Sequence, residues 1–157
     1  MKSKVIILVG PPLSGKDTYL KSNNFTDFTT ISRDEILVSL HNNTNYSEAF
    51  SQVDQKVVDR TLNKNIQDCI DQKKNVIINM TNLSKKSRNR HLCKFPNNDY
   101  EKIAIVFPKL NLCDYINRND NRKKNEDKFI PVSVIQSMIE NWQEVTEDEG
   151  FDQIIKL

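Results

Sequence analysis

The sequence predicts an α/β fold: a mostly parallel, doubly wound sheet of four to five strands flanked by helices, three layers in all. Three observations lead there. Short apolar runs alternate along the chain with segments whose apolar residues recur at three and four, the pattern of strands joined by crossover helices. The first run ends directly on a glycine-marked loop, and a helix-compatible segment follows at once. With 157 residues, 37% of them hydrophobic and 28% charged, the chain can bury one sizeable core and is expected to form a single domain spanning 1–157.

The first strand is the run Val5–Val9, which leads through Gly10 into Pro11, Pro12, Leu13, Ser14, Gly15, Lys16, Asp17 and Thr18. Gly10 and Gly15 are two of only 3 glycines in the chain, and with Lys16 they have the spacing G-x-x-x-x-G-K of a phosphate-cradling P-loop. Glycine is expected there because the backbone must reach positive φ and approach a phosphate without a Cβ in the way. Successive N–H groups then converge on an anion at the start of the helix Lys16–Ser22, and Lys16 adds a cation for the β- and γ-phosphates. A plain connecting loop is the bland alternative. The strand before it and the helix after it favour nucleotide binding.

The second strand, Phe28–Ile31, ends at Ser32, Arg33 and Asp34. In such sheets ligands bind at the carboxyl ends of the strands. Asp34 can cap the helix whose apolar residues are Ile36, Leu37 and Leu40, and it can equally be the carboxylate that takes a proton from an acceptor hydroxyl. The residues alone leave both roles open. After the polar loop His41-Asn42-Asn43-Thr44-Asn45, Ser47 is expected to cap one long helix reaching about Lys73. Its stripe is Phe50, Val53, Val57, Leu62, Ile66, Cys69 and Ile70. The third strand, Val76–Ile78, delivers Asn79, Met80, Thr81 and Asn82 to the same sheet edge.

Ser84 is expected to cap a short basic helix through Leu92, and Ile103–Phe107 is the fourth strand. A helix follows at Leu110–Asn119, with Tyr115 among its packing residues. The segment 117–130, polar and rich in positive charge, is expected to be a lid that folds over the phosphates and excludes water. Pro131 suits the first turn of a last helix whose stripe is Val134, Ile135, Met138, Ile139 and Trp142. Ile154–Ile155 is the fifth strand.

A net charge of +2 does not require a polyanionic partner. The positive charge is clustered, however, at Lys85, Lys86, Arg88 and Arg90, and again at Arg118, Arg122, Lys123, Lys124 and Lys128. A solvated helix face is the ordinary reading of such runs, and a nucleic-acid backbone the sharper one. No apolar run reaches membrane length, so no membrane partner is expected. Cys69, Cys93 and Cys113 form an odd set without C-x-x-C, which supports neither a disulfide-linked partner nor a zinc site. Each is expected to be a small buried hydrophobe in a reducing, intracellular compartment.

Four stretches taken together, KVIILVGPPLSGKDTYL, ISRDEI, NVIINMTNL and INRNDNRKKN…FIPVSVIQSM, resemble the kinase domain of phage polynucleotide 5′-hydroxyl kinase in order and approximate spacing over most of the chain. The resemblance implies a three-layer P-loop kinase fold with an arginine-bearing lid and an intracellular, phage or viral setting. It also implies transfer of the γ-phosphate of ATP to a 5′-OH end of RNA or DNA, with Mg²⁺. Lys16 then matches the P-loop lysine, Thr18 the second hydroxyl residue of G-K-S-T, and Asp34 the general base of an R-D motif that begins at Arg33. Thr81 and Asn82 match a T-N-L element and, with Arg33, would meet the acceptor. Arg118 and Arg122 match the paired lid arginines that stabilise the transition state.

Three positions depart from that family's pattern. Asp17 replaces the serine whose hydroxyl would meet Mg²⁺, so Asp17 and Thr18 become the expected metal-holding pair. Leu37 stands where an arginine would grip the acceptor's phosphate, and Met80 where an aspartate would close the third strand. These two losses on the acceptor side leave a nucleoside, a nucleotide or another small hydroxyl compound open as the acceptor. A non-catalytic ATP-binding module is the remaining alternative.

Overall fold

The computed structural model describes residues 1–41, 46–125 and 129–157, without the side chains of Ser47 and Asn125. Five strands form one sheet: β1 (Ser3–Val9), β2 (Phe28–Ile31), β3 (Asn75–Ile78), β4 (Tyr100–Val106) and β5 (Gln153–Lys156). Their order is β2-β3-β1-β4-β5 and every pairing is parallel. The chain winds from the central strand β1 to one edge, returns, and builds the other half. The crevice at the carboxyl end of β1 is therefore the topological switch point at which such sheets bind ligands.

The side-chain period of two along β1 divides the core between the two faces. Val5, Ile7 and Val9 join Val76 and Ile78 on one face, and Ile6 and Leu8 join Ile77, Ile103 and Ile105 on the other. The first face is covered by α2 (Arg33–Leu40) through Ile36 and Leu37, and by α4 (Gln55–Asp71) through Val58, Leu62, Ile66 and Cys69. The second is covered by Tyr19 and Leu20 of α1 (Lys16–Ser22) with Phe25 and Phe28. Short helices complete the layers: α3 (Tyr46–Gln52), α5 (Lys85–Leu92), α6 (Leu112–Asn125) and α7 (Val132–Glu140).

Several expectations are corrected by this architecture. The single long helix is two, because Asp54 caps α4 by accepting from the Lys56 N–H at 2.9 Å. Val58 rather than Val57 is then the buried member of the stripe, and Phe50 stands 58% exposed. In the stripe of α7 Ile135 is fully buried, Met138 packs half-buried against the core and Ile139 is half-buried, while Val134 is exposed and Trp142 lies beyond the helix. Pro131 is the cap of α7 instead of its first helical residue. Cys69 is buried as expected, whereas Cys93 and Cys113 are exposed thiols.

The segment read as a lid is helical as far as Asn125, where α6 ends. Its return toward α7 is fixed by Asn119, whose side chain donates to the Ile130 carbonyl at 2.6 Å and accepts from the Ile130 N–H at 3.2 Å. Lys128 and the loop residues Asn42-Asn43-Thr44-Asn45 lie outside the described residues.

Candidate active site

The loop after β1 is held by the strand's own neighbours. The Phe107 N–H donates to the Val9 carbonyl at 2.9 Å, and the Gly10 N–H to the Thr81 carbonyl at 3.0 Å. A Cβ on Gly10 would stand 2.9 Å from Ser14 Oγ and 3.1 Å from the Phe107 Cβ, so close packing demands glycine at this position. Positive φ falls instead on Leu13 (φ 71) and Gly15 (φ 90). For a leucine that conformation costs on the order of 1 kcal/mol. The Leu13 carbonyl is also the group that Arg118 Nη1 holds at 2.8 Å, which ties α6 to the crown of the loop.

Ser14 is buried, and its hydroxyl donates to the Pro11 carbonyl at 2.7 Å, closing the loop upon itself. Lys16 Nζ donates to the carbonyls of Gly10 and Pro11 at 2.7 and 2.8 Å. The ammonium is thereby folded over the loop it would serve, and an incoming phosphate must compete with two carbonyl oxygens for it.

Beside the loop opens a cleft of about 1260 Å³. Its walls bring together Lys16, Asp17 and Thr18 from α1, Arg33 and Asp34 from α2, Thr81 after β3, and Arg118 and Arg122 from α6. Residues from four separate stretches of sequence thus meet at the switch point. A smaller groove of about 460 Å³ runs along β2, where Glu35, Asp68 and Lys74 are its charged residues.

The cap of α2 is Ser32, whose side chain accepts from the Glu35 N–H. Asp34 therefore sits in the first turn as a half-buried carboxylate on the cleft wall and is not the cap. Tyr46, from the start of α3, hydrogen-bonds Asp34 through its hydroxyl. Burial, and next the Asp34 charge, push the Tyr46 pKa above its usual value, which keeps the hydroxyl a donor. Nothing in the local sequence marks Tyr46, because only the packing of α3 against α2 brings it to Asp34.

Arg122 lies four positions after Arg118, one helical turn further on α6. Its Nε and Nη2 are buried with no hydrogen-bond partner among the described residues. Buried donors of a guanidinium left without an acceptor are costly, and an anionic oxygen in the cleft would supply the acceptor.

Of the three expected substrate contacts, Arg33 and Asn82 have their side chains engaged within the fold. Arg33 lines the cleft, yet its guanidinium is paired with Asp59 and donates from Nη2 to Gln55 Oε1 at 2.8 Å, so it anchors α2 to α4. Asn82 is buried in a left-handed turn (φ 49) and donates to the Leu8 carbonyl at 2.8 Å, which makes it a brace for β1. Thr81 remains on the cleft wall, and its carbonyl holds Gly10.

Leu37, where the resemblance would place an arginine, is 2% exposed and packs in the core. Arg88, counted in the basic cluster, is fully buried. Its Nε donates to Glu149 at 2.7 Å, and Nη1 and Nη2 reach the carbonyls of Asn82, Leu83 and Glu144 at 3.0–3.1 Å. Lys85, Lys86 and Arg90 are exposed.

A glycine-marked loop between a parallel strand and a helix, facing a basic helix across a cleft at the switch point, defines the kinase-like P-loop fold. The chain belongs to the AAA domain family, whose model matches residues 5–145. No curated protein matches it. Among solved structures it is similar to a chain of the Pnkp1/Rnl/Hen1 RNA repair complex, with 23% identity and a TM-score of 0.69 over 89% of this chain and 44% of that one. It thus spans less than half the length of that relative. A protein of Chloroflexus aurantiacus proposed to be a kinase matches with 11% identity and a TM-score of 0.68, over 99% of this chain and 85% of that one. A gluconokinase from Sinorhizobium meliloti matches with 13% identity and a TM-score of 0.56, over 99% of this chain and 81% of that one. At these identities the likeness is one of fold. No helix among the described residues is long and apolar enough to cross a membrane.

Proposed function

We propose that the protein is an ATP-dependent kinase that phosphorylates a hydroxyl group, with the 5′-OH end of a polynucleotide as its acceptor. The observation that carries this reading is the convergence of Lys16, Asp34, Arg118 and Arg122 on one cleft beside the P-loop. In the reaction the acceptor oxygen forms a bond to the γ-phosphorus, and the bond from that phosphorus to the β,γ-bridging oxygen breaks. ADP leaves with the electron pair, and the acceptor proton passes to the Asp34 carboxylate. Tyr46 steadies that carboxylate. Lys16 and the loop N–H groups hold the donor phosphates. Arg122, assisted by Arg118, meets the charge that builds on the transferring group.

The donor set beside the loop suits Mg²⁺: the carboxylate of Asp17, the hydroxyl of Thr18 and the amide oxygen of Asn79 are hard oxygen ligands. Among the described residues no cluster of three or more His, Cys, Asp or Glu forms a cage of its own, which fits an ion held largely by phosphates and water. When bound, such an ion neutralises charge on the β- and γ-phosphates.

The polynucleotide acceptor is supported by the order of the sequence elements and by the fold shared with a chain of an RNA repair complex. Burial of Leu37 and Arg88 favours a second reading, a small hydroxyl acceptor, because both positions are removed from any acceptor phosphate. Transfer of labelled γ-phosphate to a panel of 5′-OH RNA, 5′-OH DNA, nucleosides, nucleotides and sugars separates the two. Label at polynucleotide ends supports the first reading, and label on small molecules alone replaces it with the second.

A further inference from the structure

We propose that helix α1 and strand β3 have exchanged the two protein groups that attend the nucleotide's divalent cation: Asp17 supplies the carboxylate and Asn79 the neutral partner. This inference rests on the nucleotide-binding reading above. P-loop proteins commonly place a neutral hydroxyl directly after the loop lysine and the carboxylate on a strand. Here the residue after Lys16 is the acid Asp17, and β3 runs out into Asn79 and Met80, neither of them an acid.

The two positions are 62 residues apart in sequence, yet Asn79 Nδ2 donates to Asp17 Oδ1 at 2.9 Å. Both line the same cleft as Lys16. Across these two positions the inventory is preserved while the places are exchanged: one carboxylate and one neutral oxygen-bearing side chain, beside the Thr18 hydroxyl. Their hydrogen bond uses Asp17 Oδ1 and Asn79 Nδ2, so Asp17 Oδ2 and Asn79 Oδ1 take no part in it. An amide is the partner that fits an acid at this distance, because it donates to the carboxylate, whereas a second acid on β3 would repel it. The Asn79 backbone is fixed in turn, its N–H donating to the Ile31 carbonyl at 2.8 Å across to β2. Asn79 thus also holds the acid of helix α1 against the carboxyl end of β3.

The test is a mutant cycle on the full chain, with Mn²⁺ as the probe and a non-transferable ATP analogue bound. Free Mn²⁺ is read by electron paramagnetic resonance, and nucleotide affinity in EDTA is measured separately. Asp17→Ser should weaken Mn²⁺ binding by about tenfold or more, the scale at which ligand-orienting groups act. Combining it with Asn79→Asp should bring the affinity back to within about threefold of the original protein. Unchanged Mn²⁺ affinity in Asp17→Ser overturns the exchange, as does a double variant no better than the single one. If the variants still bind nucleotide in EDTA, only the exchange has failed. If the original protein binds no nucleotide at all, the nucleotide-binding reading falls with it.

Discussion

Removing the Arg88 side chain should cost more stability than removing any other member of its basic cluster. The guanidinium is fully buried, and Glu149, its acidic partner, is itself only 9% exposed as a side chain. Arg88→Ala would leave that carboxylate without its cation, and would take the donor from the carbonyls of Asn82, Leu83 and Glu144. Breaking a buried, hydrogen-bonded ion pair from one side costs about 3–5 kcal/mol. For a domain of this length each kcal/mol shifts the melting temperature by roughly 3 °C, so the variant should melt roughly 10–15 °C lower. Lys85→Ala, Lys86→Ala and Arg90→Ala lie on exposed positions and should each stay within about 0.5 kcal/mol. Calorimetric melting at neutral pH compares the four. An Arg88→Ala protein that melts with the original, but has lost affinity for nucleic acid in a salt-dependent way, would refute the structural role and restore Arg88 to the binding surface.

Other perturbations have equally definite outcomes. His91 is buried, and burial first, then the neighbouring Lys94 and Arg90 charges, lower its pKa from 6.5 to about 4. Its neutral form is the one the fold accepts, so stability is complete above pH 6.5 and declines as the pH falls toward about 4. The loss approaches about 3 kcal/mol. Urea midpoints at several pH values should show that decline, and His91→Leu should flatten it; equal slopes in the two proteins would contradict the assignment. Arg122→Ala should lower kcat by about 10²–10³ while ATP affinity changes far less, as for loss of one preorganised donor to developing charge. A proportionate rise in KM with kcat intact would place Arg122 in ground-state binding instead. Tyr46→Phe removes one hydrogen bond to a carboxylate and should reduce kcat about tenfold. An unchanged kcat would mean that Asp34 is held without it.

Features that depend on local pattern could be read from the sequence. The five strands, the Ser84 cap and the loop Gly10–Thr18 follow from residue period, capping chemistry and glycine spacing, each contained within a few positions. Asp34 could be nominated from its place at the end of β2 with its role open, and the pair Arg118 and Arg122 only through the resemblance to a known kinase family. Contacts between distant segments could not. Arg88 looked like its exposed neighbours until Glu149, 61 positions away, was packed against it. Asn82 lay in a matching motif, yet its amide is spent on the Leu8 carbonyl 74 positions away. Tyr46 had no signal at all, since its place beside Asp34 depends on the break between α3 and α4 that Asp54 introduces. The helix expected to end at Asn119 runs on for a different reason: the polar residues of the arginine-bearing segment obscure a helical period that continues as far as Asn125.

The central claim is that Asp34 takes the acceptor's proton while the P-loop holds the donor. The most direct measurement is single-turnover transfer of γ-phosphate by Asp34→Asn, beside the original protein and with ATP affinity measured on both. The account predicts that ATP affinity is retained and that the transfer rate falls by about 10²–10⁴, the range attributable to a positioned general base. Transfer at the original rate in Asp34→Asn would contradict it.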